Sequence, residues 1–327
     1  MTDSTKLLGI SNAIVDVLAQ VDEEFLTKIG APRGSMTLID EARAHEIYDM
    51  MGPATEMSGG SVANTVAGFA NLGGKAAYIG RVKDDQLGEI FRHDMRSLGV
   101  DVRLQPATDG SPTARCHVLI EPDGQRTMQT YLGACTELKV SDVTPETVGQ
   151  PAVILLEGYV WDIAEGPALA AAAMAIAKRN GSKVALSLSD SFCVQRHRDA
   201  FHAAVQGGVD IVVADEDEVA ALLQTSSHEE TMAALAGYDN LFAMTRSEKG
   251  SVIVYGDEIV TQLATRVEKI VDTTGAGDAY TAGFLYGWTA NMPLKECAKL
   301  GTYCATRVIQ QVGGRIEPGL MDDYLAN

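Results

Sequence analysis

Positive charge is what this chain of 327 residues lacks most: 26 Lys and Arg stand against 44 Asp and Glu, a formal net charge of −18. Nucleic acid and anionic membrane surfaces are held by clustered cations, so neither is expected as the main partner. Cysteine is scarce too, with five residues scattered at Cys116, Cys135, Cys193, Cys297 and Cys304. With no Cys-x-x-Cys and no histidines paired at helical spacing, neither a disulfide framework nor a zinc cage is expected. The most apolar run, Ala168 to Ala177, is too short to span a bilayer, and no basic segment followed by an apolar core opens the chain, which points to a cytoplasmic protein. No linker-like or repeated stretch divides residues 1–327. A composition of 46% hydrophobic and 21% charged residues suits one globular enzyme domain.

Several catalytic signatures are missing as well. There is no Gly-x-x-x-x-Gly-Lys-Ser/Thr, which excludes the usual P-loop, and no Gly-x-Ser-x-Gly elbow. His197-Arg-Asp199 spells a protein-kinase triplet, but no Asn follows at the required spacing. A dinucleotide-dependent oxidoreductase, the alternative of a different class, would need Gly-x-Gly-x-x-Gly after the first strand, and this is also absent. An acidic chain that binds an anionic ligand must therefore do so with local devices.

One such device is Asp272-Thr-Thr-Gly-Ala-Gly-Asp278. The β-rich Val267 to Val271 precedes it, and Ala279, Ala282, Gly283 and Tyr286 follow at helical spacing, so the glycine turn is expected to join a strand to a helix. Gly275 and Gly277 leave backbone N–H groups free to face a phosphate at the helix start. A carboxylate there would repel phosphate unless its task is to take a proton from an attacking hydroxyl. That reasoning makes Asp278 a candidate base and Gly275, Ala276 and Gly277 a candidate cradle for the transferring group.

The seven-residue string, together with Ser58-Gly-Gly-Ser-Val-Ala-Asn-Thr65 some two hundred residues earlier, resembles the paired signatures of the ribokinase-like (PfkB) carbohydrate kinases. Gly9-Ile-Ser-Asn12 through Asp16-Val-Leu and the Gly34 to Ile39 stretch look more like the adenosine kinase branch than like ribokinases or fructokinases; Ala114 departs from it, where many members have Gly. The resemblance implies an α/β three-layer sandwich with a mostly parallel central sheet and a small β-sheet lid, formed by insertions at about 13–52 and 104–132. It also implies ATP and Mg²⁺ as cofactors, leaving K⁺ open, in a monomer or homodimer. Asn12, Asp16, Gly59, Gly60, Asn64 and the lid residue Arg126 would hold the acceptor. Thr245, Arg246, Gly250, Thr274, Gly275 and Gly277 would hold ATP, and Asp215 with Glu218 would serve Mg²⁺, although the family usually has Asn where this chain has Asp215. The acceptor would be a primary hydroxyl, that of adenosine first and of a free sugar or sugar acid as the alternative. An apolar slot for a base could come from Ile14, Met36, Leu38, Leu119 and Leu132.

Periodicity alone supports the same architecture. Helical stripes at Val62, Val66, Phe69 and Ala70, at Pro167 to Lys178 and at Pro293 to Val312 alternate with strand runs at 76–79, 152–156, 183–188, 209–213 and 241–245. Residues 13–21 and 115–132 instead alternate with period two, as hairpin-like sheet. Asp16 interrupts the Ile14 and Leu18 face, where a carboxylate costs stability unless it is partnered.

Overall fold

The computed structural model describes residues 5–326. Fourteen strands run in chain order as β1 Leu7–Ile10, β2 Ile14–Gln20, β3 Met36–Leu38, β4 Ala54–Gly59, β5 Ala76–Ile79, β6 Asp101–Val102 and β7 Ala114–Ile120, then β8 Arg126–Tyr131, β9 Val153–Glu157, β10 Lys183–Ser187, β11 Ile211–Asp215, β12 Leu241–Thr245, β13 Ser251–Tyr255 and β14 Glu258–Gln262. Nine form one sheet in the order β14-β13-β12-β11-β10-β9-β1-β5-β6, parallel from β6 to β12 and closed by an antiparallel β13–β14 hairpin. The central strands are apolar throughout because both faces are covered, as parallel sheets require. Leu7, Val153 and Leu155 point to one core with Phe69, Phe284 and Leu300; Leu8, Ile154 and Leu156 point to the other with Leu169, Phe201 and Leu222. Helices Ser61–Asn71, Ala276–Thr289 and Leu294–Val308 cover the first face, and Gly166–Asn180, Ser191–Gly207 and Glu216–Leu223 the second.

The smaller sheet runs β3-β8-β7-β2-β4. It includes β4, beyond the expected 13–52 segment, and that strand leads through Gly60 straight into helix Ser61–Asn71. Its outer face packs Leu119 on Leu26, Ile29 and Ile47 of two short helices. Among the described residues, no helix is long and apolar enough to cross a membrane.

Two local expectations fail. Residues 267–271 form no strand; Val271 lies beside the end of helix Leu294–Val308 and its N–H donates to Ile309 O at 2.8 Å. With a helix terminus for a neighbour, β propensity finds no ladder to join. The last long helix ends at Val308, not at 312, with Ile309 as its cap.

Candidate active site

The chain moves outward from β1 to β5 and β6 in one direction and from β9 to β12 in the other, so the crevice at the C-terminal ends of β1 and β9 is a topological switch point, the usual place for a ligand in such sheets. Asn12 and Glu157 meet there. Glu157 ends the apolar Val153–Leu156 run and is 1% exposed; its carboxylate accepts the N–H groups of Asn12 at 2.9 Å and Val62 at 3.4 Å, and burial still pushes it up to about 7. The Asn12 side-chain oxygen is buried with no hydrogen-bond partner, an acceptor with spare capacity facing the crevice region. Sequence reading overlooked Glu157, whose only signal is a carboxylate closing a buried strand.

Across the crevice Gly275, at φ 72°, opens helix Ala276–Thr289 without any side-chain cap, leaving the first-turn N–H groups to a ligand. The Ala276 N–H is turned back to Thr273 O at 3.2 Å, so the cradle rests on Gly275, Gly277 and Asp278. Asp278 Oδ1 accepts the Ser61 hydroxyl at 2.6 Å and Oδ2 the Asn64 amide at 3.3 Å. Burial pushes its carboxyl up to about 6, against the pull of Ser61, Asn64 and Arg315. This is a carboxylate poised to accept a proton near neutral pH.

The two glycines of the turn are needed for different reasons. A Cβ on Gly275 would lie 2.4 Å from Gly314 Cα, whereas one on Gly277 would meet nothing within 4 Å. Gly275→Ala is therefore expected to destabilise the fold by about 1–3 kcal/mol. Gly277→Ala should leave stability unchanged or raised by up to ~1 kcal/mol, since it removes a helical glycine. Paired denaturant titrations check this, and equal midpoints for the two variants would refute the assignment of Gly275 to backbone packing.

Asp16 stands on the inner face of the smaller sheet, directly over Gly59, where a Cβ would come within 2.3 Å of its carboxyl carbon. Gly60, at φ +95°, similarly makes room for the Asn12 carbonyl. Burial pushes Asp16 up to about 6, opposed by Arg315 and Arg126 and reinforced by Asp278. Strand register places Cys116, Thr130 and Leu38 in the same row as Asp16, and Leu18, Val118, Met128 and Met36 in the next. The carboxylate thus sits in an apolar surface. Ile14, Met36 and Leu38 lie on it as expected. Leu119 does not, because it belongs to the opposite face, and Leu132 leaves the sheet after β8 to open a 3₁₀ turn. Leu18, Val118 and Met128 take their place.

On the expected nucleotide side, β11 and β12 bring Asp215 and Thr245 together as ladder partners. Gly250, at φ +91°, serves the β12–β13 turn, where a Cβ would strike Gln262 O at 2.0 Å. The arginines are engaged: Arg246 Nε donates to Glu216 at 2.9 Å, and Arg126 pairs with Asp272, both side chains buried. Asp272 in turn accepts the N–H groups of Thr274 and Gly313, each at 2.9 Å. Asp215 and Glu218 form a reciprocal capping box at 2.8 and 2.9 Å. Burial, followed by the charge of Asp215, pushes Glu218 up to about 8, with Asp190 and Asp278 adding to the crowding. Among the described residues no group of three ligating side chains could enclose a metal. Mg²⁺ shared with phosphates and water needs only one or two carboxylates, and the crowded Glu218 fits that demand.

Residues 40–318 match the family described as pfkB family carbohydrate kinase. The chain belongs to that family. It is similar over 99% of its length, and of the other chain's, to the crystal structure of adenosine kinase from Sinorhizobium meliloti, at 46% identity and a TM-score of 0.91. It is equally similar to a probable sugar kinase protein from Rhizobium etli CFN 42, at 43% identity and a TM-score of 0.92 over 100% and 99% of the two chains. A 5-dehydro-2-deoxygluconokinase of Lacticaseibacillus casei is 28% identical over 78% of this chain and 81% of its own. Family membership makes the chain a phosphotransferase with an alcohol group as acceptor, a nucleoside or sugar kinase, and displaces the oxidoreductase alternative.

Proposed function

We propose that this kinase transfers the γ-phosphoryl group of ATP to the 5′-hydroxyl of adenosine, giving AMP. The observation that carries the choice of acceptor is the setting of Asp16: a hydroxyl-gripping carboxylate on a sheet face otherwise made of Ile14, Leu18, Cys116, Val118, Met128, Met36 and Leu38. A free sugar, polar all round, gains nothing from such a surface, whereas a purine does. The similarity to an adenosine kinase at 46% identity supports the same reading.

In this mechanism Asp16 and the orphan oxygen of Asn12 take ribose hydroxyls beside Gly59 and Gly60. Asp278, oriented by Ser61 and Asn64, removes the proton of the attacking hydroxyl as it approaches phosphorus. The N–H groups of Gly275, Gly277 and Asp278 stabilise the charge of the transferring group. Glu218 would hold Mg²⁺ through water, and bound there with the donor phosphates the ion would offset their charge. Thr245 and Thr274 line the donor side. Arg246 serves by fixing Glu216 in the first turn beside Asp215. The whole chain works as one domain whose smaller sheet is a lid, excluding water that would otherwise take the phosphoryl group.

ATP consumption measured in parallel with adenosine, ribose, fructose and 5-dehydro-2-deoxygluconate tests the acceptor. Adenosine should show a kcat/KM at least about tenfold above each sugar, a gap that ~1.4 kcal/mol of base contact supplies. Preference for a sugar would leave phosphoryl transfer standing and eliminate the nucleoside.

A further inference from the structure

With Arg126 tied to Asp272 and Arg246 to Glu216, the cation that acts on Asp278 is a residue the sequence does not advertise. Arg315 lies in the segment between helices Leu294–Val308 and Leu320–Ala326. Its Nε donates to Asn64 Oδ1 at 2.9 Å, and its Nη2 donates to both the backbone oxygen and the hydroxyl of Ser58, the latter at 2.9 Å. Ser58 is anchored in turn, its N–H and hydroxyl both donating to Asp94 Oδ2 at 2.8 and 2.9 Å. A continuous chain of hydrogen bonds therefore runs Asp94, Ser58, Arg315, Asn64, Asp278.

The orientation of Asn64 is the critical link. A primary amide presents an acceptor at one end and donors at the other, and here the acceptor is taken by a guanidinium. Only the NH₂ remains for Asp278 Oδ2, as observed. Were the amide turned over, its oxygen would face a carboxylate and its NH₂ a guanidinium, two repulsive contacts in place of two attractive ones. The same short segment carries Gly314, against which Gly275 packs, and Gly313, whose N–H donates to Asp272. One stretch of three residues thus braces both the phosphate cradle and the base.

We propose that Arg315 is a positioning residue for phosphoryl transfer, locking the Asn64 amide in the single orientation that donates to Asp278 and supplying the positive charge that keeps this carboxylate ionised. The proposal rests on the reading of Asp278 as the base. The ionisable groups acting on Asp278 are Arg315 and the carboxylates Asp16, Glu157 and Glu218, with Ser61 and Asn64 as its hydrogen-bonding neighbours. Arg315 is the single cation among them, so its removal must shift ionisation of the base toward higher pH.

Steady-state kinetics against pH, with MgATP and whichever acceptor the panel above selects, test this in Arg315→Met and Arg315→Lys. Arg315→Met should lower kcat by roughly 10- to 100-fold, the equivalent of losing one charged hydrogen bond, with KM for ATP within about twofold of wild type and the acid limb of the profile moved to higher pH. Arg315→Lys should return the acid limb toward wild type while kcat stays several-fold low, because one ammonium cannot hold Asn64 and Ser58 as the planar fork does. Wild-type kcat and an unmoved acid limb in a folded Arg315→Met protein overturn the proposal. Should that variant not fold, the Lys variant decides alone: full wild-type kcat overturns the positioning role and a several-fold loss with a retained acid limb supports it. If Asp278→Asn were itself active, the base assignment would fail first, and the two failures are told apart by that one variant.

Discussion

Asp278→Asn lowers kcat by about 10²- to 10⁴-fold while ATP and acceptor still bind, the loss typical of removing a general base. The substitution is nearly isosteric. Ser61 can turn its hydroxyl to donate or accept, and Asn64 keeps a neighbour of the same size, so the helix start and the glycine turn are retained. What disappears is a group able to take the proton. In the wild type, kcat should fall as pH drops through about 6, because protonation of the Asp278 carboxylate removes the base; this limb should be absent in the variant. Turnover assays from pH 5 to 9, paired with calorimetric binding of each ligand, check both parts. A folded variant that turns over near the wild-type rate would leave the proposed mechanism without its central residue.

Asp16→Ala should weaken acceptor binding by roughly 2–4 kcal/mol, or about 30- to 1,000-fold, since two charged hydrogen bonds are lost but do not add fully. Affinity for ATP alone should be unaffected. The unliganded protein should melt at the same temperature or higher. A carboxyl raised from 3.8 to about 6 by folding destabilises the folded state at neutral pH, and this penalty fades as pH falls through 6 toward 3.8. Binding that drops equally for both ligands, together with a lower melting temperature, would instead mark Asp16 as a structural residue.

The alternating strand and helix runs read from hydrophobic period are present, because a parallel sheet covered on both faces leaves an unmistakable apolar pattern at strands such as Val153–Glu157. The structure likewise gathers Asn12, Asp16, Asn64 and Asp278 around one crevice, since each is a polar residue placed where burial needs a reason. Facing on β7 was not legible. All seven residues from Ala114 to Ile120 are buried, so no alternation of exposure tells Leu119 from Val118, and a one-residue error in parity sends a side chain to the wrong face. Partners of arginines were equally hidden. Arg126, Arg246 and Arg315 look alike in sequence, yet each is committed to a carboxylate or amide far away in the chain, and only the tertiary fold says which one is left beside the base.

The Arg126–Asp272 pair joins the smaller sheet to the mouth of the phosphate cradle, with side chains 7% and 4% exposed. The lid cannot swing clear without parting two charges already stripped of most of their water, and separating such a pair typically costs about 3–5 kcal/mol. Asp272 would keep the N–H groups of Thr274 and Gly313 but lose its counter-charge. The dwell time of whatever lies beneath is thereby tied to a contact outside the proposed acceptor grip, in a place where added salt screens little.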